Sequence, residues 1–371
     1  MNIHTASTWV EVNLETIRNN VRIMRAAAGV PVMGIVKGNA YGHGTAKVSR
    51  AIVEGGAECL GVARLEEARD AREGGVDVPI LVLGYVHPER AKEAAENNAT
   101  LTVYNLDLAK QLSEQAIKNG VVIPVHVKID TGMRRLGVFA ENGVEFFEQI
   151  QRLPGIKITG MFTHFPRIDE VRHPTTYVQL ERFNHLIGEL RSRRIHTGVI
   201  HASTSAGVLY MPEARFDMVR SGITIYGLKS TEDLPQLDGI QPALTWKARV
   251  ISIKNIPAGE GIGYNHRYIT QKEERIGVIA VGYGDGMRRK LGNFAIVGGK
   301  RVNMVGGMCM DQCMVNLDEV PDVKIGDEAV LIGTQGSETI TAEDIAKAWN
   351  TTNYEVVNSL HARVPRFYFD A

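Results

Sequence analysis

The sequence is poor in the features that announce a special environment. Three of its 371 residues are cysteine, and Cys59, Cys309 and Cys313 are odd in number and scattered, whereas a disulfide framework needs dense, paired usage. A reducing cytoplasm is the expected location. Cys309 and Cys313 have no further Cys or His nearby, so core thiols are expected there and no metal. Neither charge sign is in excess: 42 Lys plus Arg balance 42 Asp plus Glu. That leaves no basic field to gather nucleic acid or an anionic membrane. A basic leader and a long apolar run are missing from the polar start MNIHTASTWVEVNLETIRNN, so neither signal peptide nor membrane anchor is expected. Low-complexity tracts and repeats of fixed period are missing too. What remains is ordinary globular composition, 44% hydrophobic and 23% charged, at a length that suggests two domains.

From residue 30 to about 228, short β-branched runs alternate with amphipathic stretches, the pattern of βα units on a parallel sheet. Eight strands can be counted: VMGIVK from Val32, CLGVA from Cys59, ILVLGY from Ile80, TLTVY from Thr100, PVHVKID from Pro124, KITGMF from Lys157, GVIHAS from Gly198, and FDMV continuing into GITIYG from Phe216. Eight βα units in about two hundred residues predict a (β/α)8 TIM-type barrel. Pro174 to Arg193 supports the helices between them, with Tyr177, Leu180, Phe183, Leu186, Ile187 and Leu190 on one stripe. The segment KSTEDLPQLDGIQP, residues 229–242, reads as a linker. Beyond it, ALTWKARVISIKNI, RIGVIAVGY, FAIVGGKRVNMV, CMVNL and EAVLIGT are strand-like, with helices near TAEDIAKAWN and NYEVVNSL. The expected division is a barrel over 1–235 and a mostly antiparallel β domain over 236–371, with the first ten or so residues pairing with the latter.

Barrels place reactive groups at the C-terminal ends of their strands. Lys37, Lys128, His164, Ser205 and the run Arg220-Ser221-Gly222-Ile223 all fall there. Lys37 ends an apolar strand beside a glycine-spaced turn, where a desolvated amine becomes a nucleophile toward aldehydes; the alternative is a lysine that caps the strand and pairs with a carboxylate. Ser205, Gly222 and Ile223 follow strands seven and eight, where barrels bind phosphate through free N–H groups; the alternative is plain turn chemistry. An aldehyde-holding lysine and a phosphate cradle together describe pyridoxal 5'-phosphate.

Seven blocks then extend the reading along nearly the whole chain: VKGNAYGHG (36–44), KIDTGMRRLG (128–137), VRSGITIYG (219–227), VGYGDGM (281–287), MCMDQ (308–312), TNYEV (352–356) and RVPR (363–366). In this order they resemble the signature blocks of the bacterial alanine racemases. The resemblance implies a barrel plus β domain, a homodimer whose active site is shared across subunits, and an isomerase that interconverts L- and D-alanine, with D-alanine going to cell-wall peptidoglycan. A racemase for serine or a broader amino-acid range is the alternative, with a barrel decarboxylase or a non-catalytic pyridoxal phosphate carrier further off. The pattern of Tyr264 with Arg220 argues against the decarboxylase, and the β domain with Tyr264 and Asp311 against the carrier.

By resemblance, Lys37 holds the cofactor as an imine and is the base on one face of the substrate Cα. Tyr264 is the acid/base on the other face and comes from the partner subunit. A free phenol ionises near pH 10, so forming the phenolate at neutral pH costs about 4 kcal/mol, and His164 matches a histidine bonded near this tyrosine. Arg220 matches an arginine on the pyridine nitrogen; a structural ion pair with Asp217 is its competing reading. Because a guanidinium can only donate, the nitrogen there must accept and stay unprotonated. Arg135 matches a residue on the substrate carboxylate, and Lys128 a lysine that is often carbamylated and orients it. Tyr41 and Tyr354 match phosphate-contacting and site-shaping tyrosines, Met310 and Asp311 residues over the substrate, and Tyr283 a gate. The blocks depart from the usual pattern at Gly38, Thr204, the residues after Tyr264, and Pro166-Arg167 beside His164.

Overall fold

The computed structural model describes residues 2–231 and 236–370. The chain divides into two units, one of Thr16–Ala40 and Thr45–Gln241, the other of Met1–Glu15, Tyr41–Gly44 and Pro242–Ala371.

In the first unit eight parallel strands close on themselves: Val32–Ile35, Cys59–Val62, Ile80–Val82, Ala99–Val103, Ile123–Asp130, Ile156–Phe162, Val199–Thr204 and Met218–Ser221. Val219 of the last stands opposite Val32 of the first and completes the ring. The first three strands are buried along their whole length, because helices cover one face and barrel side chains fill the other. That is why they read as unbroken apolar runs. Along the helix Pro174–Ser192, Leu180, Phe183, Leu186, Ile187 and Leu190 are buried as expected. Tyr177 is only half-buried, and Thr176 and Gln179 complete the covered face.

The eighth strand is shorter than GITIYG suggests. At Gly222 (φ −111°, ψ −108°) the chain leaves the sheet and winds a 3₁₀ turn over Ile223–Tyr226. The Tyr226 hydroxyl donates to the Ile35 carbonyl at 2.8 Å. The apolar run is therefore satisfied by burial in a turn rather than by strand pairing. The unit extends to Gln241, later than the expected boundary at 235/236. Buried Asn20 accepts from the Gln241 N–H at 3.0 Å and donates to its carbonyl at 2.8 Å, which ties that segment to the barrel. Of the expected linker 229–242, residues 232–235 lie outside the described residues.

In the second unit the long strand Leu244–Ile256 pairs antiparallel with Thr8–Asn13, Glu274–Ile279 and Glu328–Gln335. The run FAIVGGKRVNMV splits into Phe294–Val297 and Lys300–Val305. Gly298 and Gly299 between them lie at φ 59° and 77°, as a two-residue hairpin turn of matching twist requires. Thr8–Asn13 also runs parallel to Arg366–Phe369. No helix among the described residues is long and apolar enough to cross a membrane. All three cysteines are free, Cys59 and Cys313 buried and Cys309 half-buried.

Candidate active site

Lys37 follows directly on the first barrel strand, and the backbone after it turns left-handed: φ is 65°, 54°, 51° and 51° at Gly38, Asn39, Ala40 and Tyr41. Glycine enters this region freely, whereas an L-residue there costs about 1–2 kcal/mol. Local bonds offset the strain. The Ala40 N–H donates to the Val36 carbonyl at 2.8 Å, the Gly38 N–H to Glu67 at 2.6 Å, and the Thr45 N–H to the Asn39 side chain at 3.0 Å. Lys37 stays accessible at the C-terminal end of its strand. The protein crowded around its amine still removes enough water to lower its pKa, and the charges of Arg135 and Arg220 push the same way against the pull of Glu67. The residue is thus not a buried core lysine, and it forms no ion pair with a carboxylate among the described residues.

Arg220 organises the interior beneath. Its Nη1 donates to His201 Nδ1 at 2.9 Å, and its Nη2 to the carbonyls of Thr163 and Ala202 at 2.9 and 2.8 Å and to His164 Nδ1 at 3.3 Å. The ion pair with Asp217 does not form: that carboxylate instead accepts the Ile200 N–H at 2.8 Å, and Arg220 has no carboxylate partner among the described residues. Burial without such a partner lowers the guanidinium to about 9, so it keeps its charge at neutral pH. Because it can only donate, His201 must accept at Nδ1 and carry its proton on Nε2; the two Nη2 hydrogens go to the carbonyls, and the longer His164 contact does not fix that ring's tautomer. His201 Nε2 then donates to His126 Nδ1 across 3.0 Å. Burial first, and the Arg220 charge second, keep all three imidazoles neutral. His126 is lowered to about 4, and His164 and His201 lie well below the histidine range.

Lys128 is buried with Nζ 4.4 Å from the centre of the Phe162 ring. It makes no hydrogen bond or ion pair among the described residues. Burial, then Arg220 and Arg135, hold it well below its ordinary pKa, with only Asp130 opposing. Asp130 itself accepts the N–H groups of Gly132 and Arg134 at 2.8 and 3.0 Å, which shapes the turn that carries exposed Arg135. On the other side, Ser205 Oγ accepts the Gly222 N–H at 3.0 Å and lies 3.2 Å from Ser221 Oγ. Its own proton is free for Ser221 or for an anion. Thr204 makes no capping bond at the start of the helix Ser205–Tyr210. Lys37, Lys128, Arg135, His164, Ser205, Arg220, Gly222 and Ile223 therefore all belong to the barrel unit. Lys37, Lys128, Arg135 and Arg220 outnumber Glu67 and Asp130 there, a balance that suits an anionic ligand.

Tyr41, Tyr264, Tyr283, Met310, Asp311 and Tyr354 belong to the second unit. Tyr41 and Tyr354 are ring neighbours, with centroids 6.0 Å apart. Tyr264 opens a 3₁₀ turn after Gly263 at φ 69° and is 64% exposed. Met310 is 52% and Tyr283 38% exposed, and Asp311 is open as well. Sequence reasoning passed over His126, His201 and the pair Arg363–Asp285. Strand parity could have found His126, which stands two residues before Lys128 and so faces the same side.

The family model for "Alanine racemase, N-terminal domain" matches residues 12–230, and that for "Alanine racemase, C-terminal domain" matches 243–368. An alanine racemase of Carboxydothermus hydrogenoformans is 42% identical over 364 residues, covering 97% of this chain and 99% of that protein. Among solved structures, alanine racemase of Clostridium difficile 630 superposes with a TM-score of 0.93 at 36% identity, covering 98% of this chain and 96% of its own. That of Bacillus anthracis with bound L-Ala-P gives 0.92 at 35%, covering 98% and 95%.

Proposed function

This chain belongs to the alanine racemase family: it is an isomerase that interconverts L- and D-alanine with pyridoxal phosphate, and we propose that Lys37 and Tyr264 are its two acid/base groups. Racemisation needs a proton removed from one face of Cα and returned to the other, so two opposed groups are required. Lys37, with its lowered amine, serves one face. Tyr264, exposed on the second unit, serves the other face in a partner subunit, which makes the homodimer the active form. The exposure of Tyr264, Tyr283 and Met310 supports that reading: side chains of this kind are suited to being covered by a second copy.

The donor set suits the cofactor. Lys37 would take its aldehyde, and Ser205, positioned by the Gly222 N–H, would hold its phosphate with the Ile223 N–H, helped by Tyr41 and Tyr354. Arg220 would donate to its pyridine nitrogen. When bound, the cofactor supplies an electron sink for the charge left at Cα. A donor-only Arg220 would leave that nitrogen unprotonated and the sink weak, which would favour simple return of the proton to Cα. His164 would bond near the phenolic oxygen of the partner subunit's Tyr264, and Arg135 would hold the substrate carboxylate. Lys128, its pKa held well below the ordinary lysine range by burial, is suited to carry a carbamate that orients Arg135. We assign the enzyme to the cytoplasm, where its free cysteines stay reduced and its D-alanine feeds peptidoglycan synthesis.

The observation that carries this reading is Arg220, buried and charged, with every bond given to a neutral acceptor. The test is chiral chromatography of alanine after incubation with protein and cofactor. Tyr264→Phe keeps the visible absorbance of bound pyridoxal phosphate while losing racemisation, most severely from one enantiomer. Parental rates in that variant would sink the two-base assignment, and equal or faster turnover of L-serine would sink the restriction to alanine.

A further inference from the structure

Arg363 lies outside the functional reading so far, yet it joins two loops that this reading uses. The loop of Tyr283 and the loop of Met310 and Asp311 lie directly on one another. The Tyr283 N–H donates to the Cys309 carbonyl at 3.2 Å and the Gly284 N–H to the Met310 carbonyl at 2.8 Å. The approach is so close that a Cβ on Gly282 would stand 2.3 Å from the Met310 carbonyl oxygen. Gly307, at the start of the second loop, forms a parallel bridge to Gly263 beside Tyr264.

Arg363 spans this junction. Its Nε donates to Asp285 Oδ1 at 2.8 Å and its Nη2 to Asp311 Oδ1 at 2.7 Å. A Cβ on Gly284 would lie 2.7 Å from the same guanidinium. The two carboxylates differ in kind. Asp285 is 4% exposed, and its other oxygen takes the Gly282 N–H at 2.9 Å, whereas the Asp311 side chain is 62% exposed. An exposed ion pair by itself does little to hold a geometry. A planar guanidinium anchored on a buried carboxylate has a fixed direction, and its second prong then fixes whatever it reaches.

We propose that Arg363 is a positioning residue for racemisation: it locks the loops of Tyr283 and of Met310 and Asp311 into one body that presents a fixed wall to the alanine side chain. The inference rests on the reading that Tyr283 and Met310 line the substrate path. No proton passes through Arg363.

The test uses the holoenzyme and steady-state rates with both enantiomers of alanine. In Arg363→Gln the visible absorbance of bound cofactor is unchanged, KM rises about tenfold and kcat falls less than about threefold, the mark of lost substrate positioning. Arg363→Lys, able to hold one carboxylate but not both, falls between. The double variant Arg363→Gln/Asp311→Asn is no worse than Arg363→Gln alone, since both remove one interaction. A parental KM in Arg363→Gln, or effects that multiply in the double variant, would overturn the proposal. Where Arg363→Gln does not fold, Asp311→Asn keeps the anchor on Asp285 and carries the test: KM raised about threefold supports the clamp, and a parental KM overturns it. Tyr283→Ala separates the two levels. A parental KM there removes the substrate-path reading itself, whereas a raised KM there beside a parental KM in Arg363→Gln removes only the clamp.

Discussion

Arg220 is 5% exposed and Tyr264 is 64% exposed, although both are assigned to the chemistry at one substrate carbon. Arg220 is held by bonds within one unit: its Nη groups donate to two carbonyls and to His201, and His201 passes the order on to His126. Around Tyr264 the side chain stands clear of its own unit, and only the backbone near it is constrained, by Gly263 and the bridge to Gly307. The barrel group is organised by burial within one chain. The second group has its backbone fixed but its side chains open, as a surface completed by another copy would have. Damage to the first should therefore cost folding and chemistry together, and damage to the second chemistry alone.

The largest expected effect is in Arg220→Ala. It strips the partners from two buried carbonyls and from His201, and at about 1–3 kcal/mol for each unsatisfied group the barrel loses roughly 3 kcal/mol or more. Racemisation falls at least about 100-fold, as for loss of a preorganised donor. A parental melting temperature in that variant would break the contrast, since Tyr264→Phe should stay within about 0.5 kcal/mol of parent.

Acid should act on the barrel next. His126 titrates near 6.5 when unfolded and at about 4 when folded, so between those values the unfolded chain holds the extra proton. Stability is then complete above pH 6.5 and falls as the pH drops toward 4, by about 3 kcal/mol for His126 alone. His201 adds in the same direction. Calorimetric melts from pH 7 to 4.5 should show this slope in the parent and a flatter one in His126→Gln. Identical slopes would mean that the buried imidazoles are not what acid attacks.

The smallest effect concerns backbone. Gly38 occupies φ 65°, where an alanine costs about 1 kcal/mol. Gly38→Ala should lower the unfolding free energy read from urea titration by that amount while leaving the fold of the second unit intact. No loss would show that the turn holding Lys37 tolerates side chains throughout.

Much of this was legible in advance, for identifiable reasons. Parallel strands buried on both faces announce themselves as apolar runs, and chain order around a barrel tells which residue closes each strand. Lys37, Lys128 and Arg220 could therefore be placed from position. GITIYG misled because its apolar residues are buried in a 3₁₀ turn, and burial leaves the same trace in composition as pairing does. Lys229–Pro242 looked like a linker, yet Gln241 is bonded back to Asn20. A bond between residues so distant in sequence has no local signal.

The sequence by itself determined the alternation that builds the barrel, the β character of the second unit, and the ordered blocks that name the family, because these depend on local periodicity and residue identity. Only the tertiary structure decided which nitrogen of His126 and of His201 carries a proton, that Arg220 meets no carboxylate, that three residues after Gly38 are held left-handed, and that Arg363 bridges Asp285 to Asp311. Each of these depends on distances of about 3 Å between groups far apart in the chain, and hydrogen bonding is decided at that range.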